Sequence, residues 1–395
     1  MRKSLHILII PSWYPAKADD IDGSFFREQA LALSKKGHKV GVIASSMYSL
    51  RDWKSIIFKP HNVQFENDKG VLTYRQQRVN YTPRLKGITR ARRVAMGAKL
   101  VDQYIVENGI PDIIHVHSLI NAGFIAYKVK QKYGIPYVVT EHSSAFARGL
   151  VDKKTAKQLI PVVQSSNRNI AVSNEFKNLL EDTFKNEKWE YIPNIVSNEF
   201  LQSKLQVDNK SQVFIFSNIC LMSPNKRVEL VIHAFAKAFK GNPNINLKLG
   251  GDGPIRSSLE ELAKSEGISR QVTFLGALER GQVKEEIAKS DAFVLSSEYE
   301  TFGVVIIEAL ALGKPVVATR CGGPESIIVP EVGYLVDKNS VECLAQGMID
   351  LYENRDKYSA KDIREYCRTN FSEEAVINKL TDIYQNILDK SEDDS

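Results

Sequence analysis

Ser297-Glu298-Tyr299-Glu300-Thr301-Phe302-Gly303-Val304-Val305-Ile306-Ile307-Glu308-Ala309-Leu310-Ala311 carries Glu300 and Glu308, separated by seven residues. Ala292 to Ser296, just before it, reads as a buried strand, and Val304 to Leu312 reads as an apolar helix. The acidic pair therefore straddles a strand-to-helix junction, with Glu300 in the loop and Glu308 about a turn inside the helix. Such a junction belongs to an α/β fold.

The same alternation extends in both directions. Upstream, short apolar strands are expected at Leu5 to Ile10, Lys39 to Ala44, Asp112 to Val116, Tyr137 to Thr140, Asn169 to Val172 and Glu190 to Ile192. Amphipathic helices are expected between them at Phe25 to Lys36, Arg92 to Glu107, Ala122 to Tyr133 and Ala156 to Ser165. After a polar, linker-like stretch from Ser203 to Ser211 the pattern restarts, with strands at Val213 to Phe216, Asn246 to Leu249, Val272 to Leu275, Ala292 to Ser296 and Pro315 to Ala318. Alternation of this kind specifies parallel sheets with helices on both faces. Two doubly wound domains are predicted, residues 1–202 and 203–371, with a terminal helix from 372 to 390 packing back on the first. Open parallel sheets bind ligands beyond the carboxyl ends of their strands, so an active site is expected in a cleft between two such domains.

A chain of 395 residues with 43% hydrophobic and 25% charged residues is an ordinary globular composition. The opening Met1 to Pro11 has a basic start, but its apolar run is too short for a signal peptide, and no stretch approaches a membrane span. A cytoplasmic protein is expected, peripheral at most to the inner face of a membrane. Cys220, Cys321, Cys343 and Cys367 form no C-x-x-C pair and read as reduced structural thiols.

The net charge of +6 hides a division, because residues 1 to 200 hold 30 basic against 18 acidic side chains, or +12, leaving −6 for the rest. Arg75, Arg78, Arg84, Lys86, Arg90, Arg92 and Arg93 fall between Lys69 and Lys99 with no acidic residue among them. Besides a solvated face, this run fits a surface for anionic lipid headgroups or a pyrophosphate-bearing acceptor, with Arg90, Arg92 and Arg93 at its centre. No motif supports nucleic acid as a partner.

Several segments could meet a phosphorylated ligand. Gly23 stands before a helix N-terminus, where free N–H groups favour an anion. Leu249-Gly250-Gly251-Asp252-Gly253-Pro254 follows a strand and opens a helix, yet it is no dinucleotide fingerprint, which disfavours nicotinamide chemistry. Lys226 heads the helix beginning at Arg227 and could aim a fixed positive charge at the same ligand.

Taken in order, Lys226 with Ala234-Phe235, Gly250 to Pro254, Val272 to Gly276, Asp291 through Glu300, Phe302-Gly303, Glu308-Ala309, Gly313 to Ala318 and Gly322 to Glu325 resemble the family 4 retaining glycosyltransferases of the GT-B fold. Gly37-His38, Pro111 to His117 and Ile192 to Asn194 agree as well, so the resemblance covers nearly the whole chain. It implies a nucleotide sugar on the second domain, with Glu308 accepting both ribose hydroxyls, Glu300 holding hydroxyls of the transferred sugar and Lys226 on the leaving phosphate. Backbone N–H groups around Phe302, Gly303 and Val304 would meet the diphosphate, and Gly251 with Thr273 and Leu275 would line the base. One departure stands out: an arginine usual a few residues before the lysine is missing from Ser217 to Met222, so either a neighbour such as Arg227 or Arg320 substitutes or the donor binds less tightly.

His117 and His142 follow strands and are the acceptor-side candidates, related enzymes having a functional histidine at one or the other. His115 is expected on the opposite face, in the core. The resemblance implies no side-chain nucleophile, the departing phosphate taking the acceptor proton, unlike the paired carboxylates of glycosidases. No Asp-x-Asp motif accompanies the nucleotide segments, so no metal or other cofactor is expected. The expected activity is transfer of a hexose-type sugar from a UDP-sugar, or less readily a GDP-sugar, to a polysaccharide or lipid-linked acceptor of the cell surface. A non-hydrolysing nucleotide-sugar epimerase of the same fold and an inactive donor-binding partner subunit are the rivals. Sugar, acceptor and oligomeric state are not legible.

Overall fold

The structure, a computed structural model, describes residues 4–16, 20, 23–51, 62–185, 187–205 and 213–393. The expected linker lies, from residue 206 onward, outside the described residues, as does the tip of the acidic tail. The chain divides into two compact units. The first comprises Met1–Val172, Lys177–Ile192 and Ile377–Ser395, and the second Ser173–Phe176 and Pro193–Val376.

The first unit is built on β1 (His6–Pro11), β2 (Lys39–Tyr48), β3 (Gln64–Asp68), β4 (Val71–Val79), β5 (Ile113–His117), β6 (Tyr137–Glu141), β7 (Arg168–Ala171) and β8 (Glu190–Tyr191). They form one sheet in the order β3-β4-β2-β1-β5-β6-β7-β8, parallel except where β3 pairs antiparallel with β4. Ile7, Leu8, Ile9 and Ile10 are fully buried, as a strand covered by helices on both faces requires. The β3–β4 hairpin is absent from the sequence reading because Gln64 to Asp68 is a polar edge strand with no apolar run. Because β1 lies between β2 and β5, chain connections diverge there, and the crevice for a ligand opens at the carboxyl ends of β1 and β5. From Ile377 onward the terminal helix Glu373–Asp393 belongs to this unit, and its Tyr384 hydroxyl meets His115 Nδ1 at 2.6 Å.

The second unit repeats the logic with β9 (Phe214–Ile219), β10 (Ile245–Gly250), β11 (Val272–Gly276), β12 (Ala292–Leu295), β13 (Val316–Thr319) and β14 (Gly333–Val336). Their order is β11-β10-β9-β12-β13-β14, and all of the pairings are parallel. Helices Val228–Phe239 and Val341–Glu353 supply Val231, Phe235, Leu344 and Met348 to one core with Leu247 and Val294 of the sheet. The helix Val304–Ala311 is fixed by the later helix Ala360–Phe371: Arg364 Nε donates to Ala311 O at 2.7 Å and Cys367 Sγ to Ile307 O at 3.2 Å. An arginine on terminal carbonyls of a helix meets both their free acceptors and the negative end of the dipole. Here the divergence falls between β9 and β12.

Candidate active site

At the second switch point β9 leads into a short turn, Pro224–Lys226, and β12 into the loop Ser296–Gly303. The Lys226 ammonium donates to Glu300 Oε1, and Ser297 Oγ donates to the same oxygen at 3.0 Å. The two loops are tied by backbone: Glu298 N donates to Asn225 O at 2.9 Å, and Ser296 Oγ to Lys226 O at 2.8 Å. A third segment closes the other side, with Glu300 N on Cys321 O at 3.0 Å and Gly323 N on Glu300 O at 2.7 Å. Any side chain at Gly323 would place its Cβ 2.2 Å from Phe302 O, so only glycine lets these loops meet. Burial disfavours the Lys226 ammonium, but the Glu300 carboxylate more than offsets it, and the lysine pKa rises above its ordinary value. The pair is nonetheless reachable, with side-chain exposures of 24% and 16%.

The helix Val304–Ala311 starts at Gly303, whose φ of 99° is a left-handed conformation. No side chain caps it and no acid occupies its first turn, so its leading N–H groups and positive dipole end remain for an anion. Glu308, 3% exposed, lies one turn further and is paired with Arg280. Burial raises the Glu308 pKa against the opposing pull of Arg280. Arg280 is the first residue of the helix Arg280–Ala288, where a capping box between Glu279 and Gln282 fixes the start, and its guanidinium sits 5.0 Å from the centre of the Phe200 ring.

The first switch point is packed differently. His117 Nδ1 and His142 Nε2 lie 3.0 Å apart, and both side chains are buried. Phe26 lies 4.9 Å from each imidazole, and Phe25 5.3 Å from His142. These phenylalanines open the helix Ser24–Lys35, whose N-cap is Gly23. Burial, then the neighbouring imidazoles of His115 and His142, hold His117 well below the ordinary histidine pKa, so it is neutral. His117 Nε2 is buried without a hydrogen-bond partner. Beneath the pair, Glu141 accepts backbone N–H groups from Leu119, His142 and Ser143 at 2.6, 2.9 and 2.7 Å. Burial pushes its carboxyl up to about 7 against those three donors.

Two family models match this chain one after the other: Glycosyltransferase Family 4 over residues 23–200 and Glycosyl transferases group 1 over residues 197–370. The chain belongs to glycosyltransferase family 4. This family 4 transferase is 29% identical over 307 residues to N-acetyl-α-D-glucosaminyl L-malate synthase of Bacillus anthracis, spanning 75% of this chain and 79% of that protein. It is 26% identical to the putative teichuronic acid biosynthesis glycosyltransferase TuaC of Bacillus subtilis, across 98% of this chain and 100% of that one. The crystal structure of HepE from Anabaena in complex with UDP superposes with a TM-score of 0.72 at 18% identity, covering 97% of this chain and 100% of that one. Its two parallel-sheet units are those of the GT-B fold.

In this transferase the residues expected on the donor separate into groups. Lys226, Glu300, Phe302, Gly303, Val304 and Glu308 converge around one loop and one helix turn. Gly251 follows β10, donating its N–H to Gly276 O at 2.8 Å, and packs on the backbone of Cys220. Thr273 and Leu275 lie on the outermost strand β11, Thr273 being exposed, and no bond among the described residues joins either to the acidic pair. Neither proposed substitute for the missing arginine is engaged there: Arg227 binds Glu229 and Asn339, and Arg320 lies 3.9 Å from Asp337. Asn218 occupies the strand end instead, with Nδ2 on Val294 O at 2.8 Å. The cation missed from sequence is Arg280, and the Glu279-x-x-Gln282 capping signature was the one available sign that it heads a helix.

Two expectations in the first unit need correction. His115 does not face away from His117, for residues two apart on a strand share a face, and the rings lie 4.2 Å apart. Arg93 is not part of a basic surface, since its guanidinium bonds the backbone oxygens of Ser12 and Ser45 and burial lowers its pKa to about 10.

Proposed function

We propose that this transferase moves a hexose-type sugar, with retention, from a nucleotide sugar to a polysaccharide or lipid-linked acceptor in cell-surface polysaccharide synthesis. The observation that carries the reading is the pairing of Lys226 with Glu300 at the second switch point, one helix turn from Glu308. We assign Glu308 to the ribose cis-diol: Arg280 takes one carboxylate oxygen, and the other accepts the two hydroxyls. The N–H groups of Gly303 and Val304 are assigned to the diphosphate and Lys226 to charge growing on the leaving phosphate, where fixed electrostatics contribute most. Glu300, steadied by Lys226 and Ser297, is assigned to hydroxyls of the transferred sugar.

With no carboxylate placed as a nucleophile in this assignment, the sugar leaves as a short-lived oxocarbenium-like species. The departing phosphate takes the acceptor proton on the face it vacates. A lysine and a helix N-terminus supply the charge that a metal ion supplies elsewhere, so the reaction is metal-independent. A UDP-sugar is favoured over a GDP-sugar by the likeness to HepE, solved with UDP. TuaC favours a cell-surface polymer as the product. His117 and His142 are assigned to the acceptor side, and the reaction to the inner face of the cell membrane.

The test is incubation of the full chain with a panel of UDP- and GDP-sugars and candidate acceptors in chelator, following the anomeric proton by NMR. An axial donor giving an axial product supports the reading. Inversion, a requirement for a divalent ion, or conversion of donor to its epimer without acceptor would each overturn it.

A further inference from the structure

The basic run of the first unit is divided by the helix that carries part of it. Successive residues of a helix are rotated by about 100°. Arg93 accordingly turns to the strand ends, and Arg90 bonds Gln158 with its guanidinium 4.9 Å from the Phe124 ring centre. Arg92, Met96 and Lys99, spaced at four and three residues, share the remaining face of the helix Lys86–Asn108. That face and the end of β4 enclose a cavity of about 720 Å³.

Three exposed cations, Arg78, Arg92 and Lys99, line this cavity together with Met47, Val79 and Met96, and no carboxylate among the described residues does. Among the described residues none of these cations forms an ion pair. Tyr81, also in the lining, lies under the Arg92 guanidinium at 5.7 Å. It is 64% exposed, and Leu85 and Ile88, just beyond it, are 55% and 49% exposed, between Arg84, Lys86 and Arg90. Large apolar side chains left in water beside unpaired cations match a surface whose other half is both apolar and anionic.

We propose that this cavity and the adjoining segment from Tyr81 to Ile88 dock on an anionic bilayer, taking a lipid phosphate among Arg78, Arg92 and Lys99 and its first acyl methylenes against Met47, Val79 and Met96. A free phosphate or a nucleic acid would use the cations and leave the apolar half idle; a phospholipid uses both. Docking there holds the first unit against the leaflet, which names a membrane-borne, anionic amphiphile as the acceptor class. The inference rests on the transferase reading for its purpose, though its test needs no donor.

The full chain is floated with vesicles of phosphatidylcholine alone and of phosphatidylcholine containing phosphatidylglycerol. Wild type is expected on the anionic vesicles only. Each cation near such a surface strengthens binding about fivefold, so the Arg78→Gln, Arg92→Gln, Lys99→Gln variant should lose about 100-fold in partitioning. The Tyr81→Ser, Leu85→Ser, Ile88→Ser variant should keep weak binding at low salt and lose it as salt screens the charges. Wild type, needing no variant to fold, should retain part of its binding at high salt. Equal flotation on both vesicle types, full retention by the charge variant, or complete release of wild type by salt with no effect of the apolar variant would each overturn the proposal. The last result marks a polyanion surface. If flotation fails while UDP still binds, the lipid inference falls and the transferase reading stands.

Discussion

The carboxyl ends of β1 and β5 and those of β9 and β12 are the same topological place in two parallel sheets, yet they hold opposite kinds of chemistry. At the second, a lysine and a glutamate form a reachable ion pair, propped by backbone bonds from three loops. At the first, the imidazoles of His117 and His142 are buried against Phe25 and Phe26, with His115 and the Glu141 carboxyl buried beside them. A charged donor with a diphosphate needs fixed counter-charge, which costs less to keep partly exposed and paired than to bury alone. The first site spends its polar groups on one another and on backbone N–H groups, so it gains rigidity and, in exchange, a dependence on pH. Fold alone therefore says where a ligand goes, while the burial of the side chains says what kind of ligand each place suits.

The sharpest way to break the comparison is to neutralise the open site. Lys226→Ala and Glu300→Ala should each lower kcat/KM for transfer by about 100-fold or more, the range for losing a fixed group at developing charge. Each should also lower thermal stability, because it removes one partner of a pair whose side chains are only 24% and 16% exposed. Turnover within threefold of wild type in either variant would remove the pair from the mechanism.

Arg280→Ala should have a smaller effect and a distinct signature. Without the guanidinium, Glu308 keeps only the burial that raises its pKa, so the donor KM should rise about tenfold at neutral pH and further as pH falls and the carboxylate protonates. A pH-independent loss would mean that Arg280 acts by packing on Phe200 rather than through Glu308.

The smallest expected effect belongs to the buried site. His115 is lowered to about 3 and His117 well below 6.5, both chiefly by burial. Unfolding releases them to protonate, so their contribution to first-unit stability should be full above pH 6.5 and fall, by on the order of several kcal/mol, as pH drops toward 3. Glu141, raised to about 7, acts in the opposite sense, its contribution falling as pH rises from about 4.5 to 7. Hydrogen-exchange protection of β5 and β6, corrected for intrinsic rates, should therefore fall below pH 5 in wild type and fall less in His115→Asn. Equal losses in the two proteins would show that these imidazoles already share their pKa with the unfolded chain.

Much of the second site was legible because its chemistry is packed into a run of fifteen residues, Ser297 to Ala311, whose spacing also sets the loop and the helix. Arg280 was not, since its tie to Glu308 spans 28 residues and depends on how two helices pack. The first unit was legible in its strands and less so in its faces. A run of arginines looks like one surface in sequence, whereas helical rotation sends Arg92 outward and Arg93 to the oxygens of Ser12 and Ser45. The β3–β4 hairpin escaped for a related reason: a polar strand at a sheet edge has no apolar period to read.

The most direct measurement is isothermal titration of UDP into wild type, Glu308→Ala and His117→Asn. Binding should weaken by about tenfold or more in Glu308→Ala, where two hydrogen bonds to a charged acceptor are lost, and stay within about twofold of wild type in His117→Asn. Unchanged affinity in Glu308→Ala, or a loss confined to His117→Asn, would contradict the assignment of the donor to the second unit.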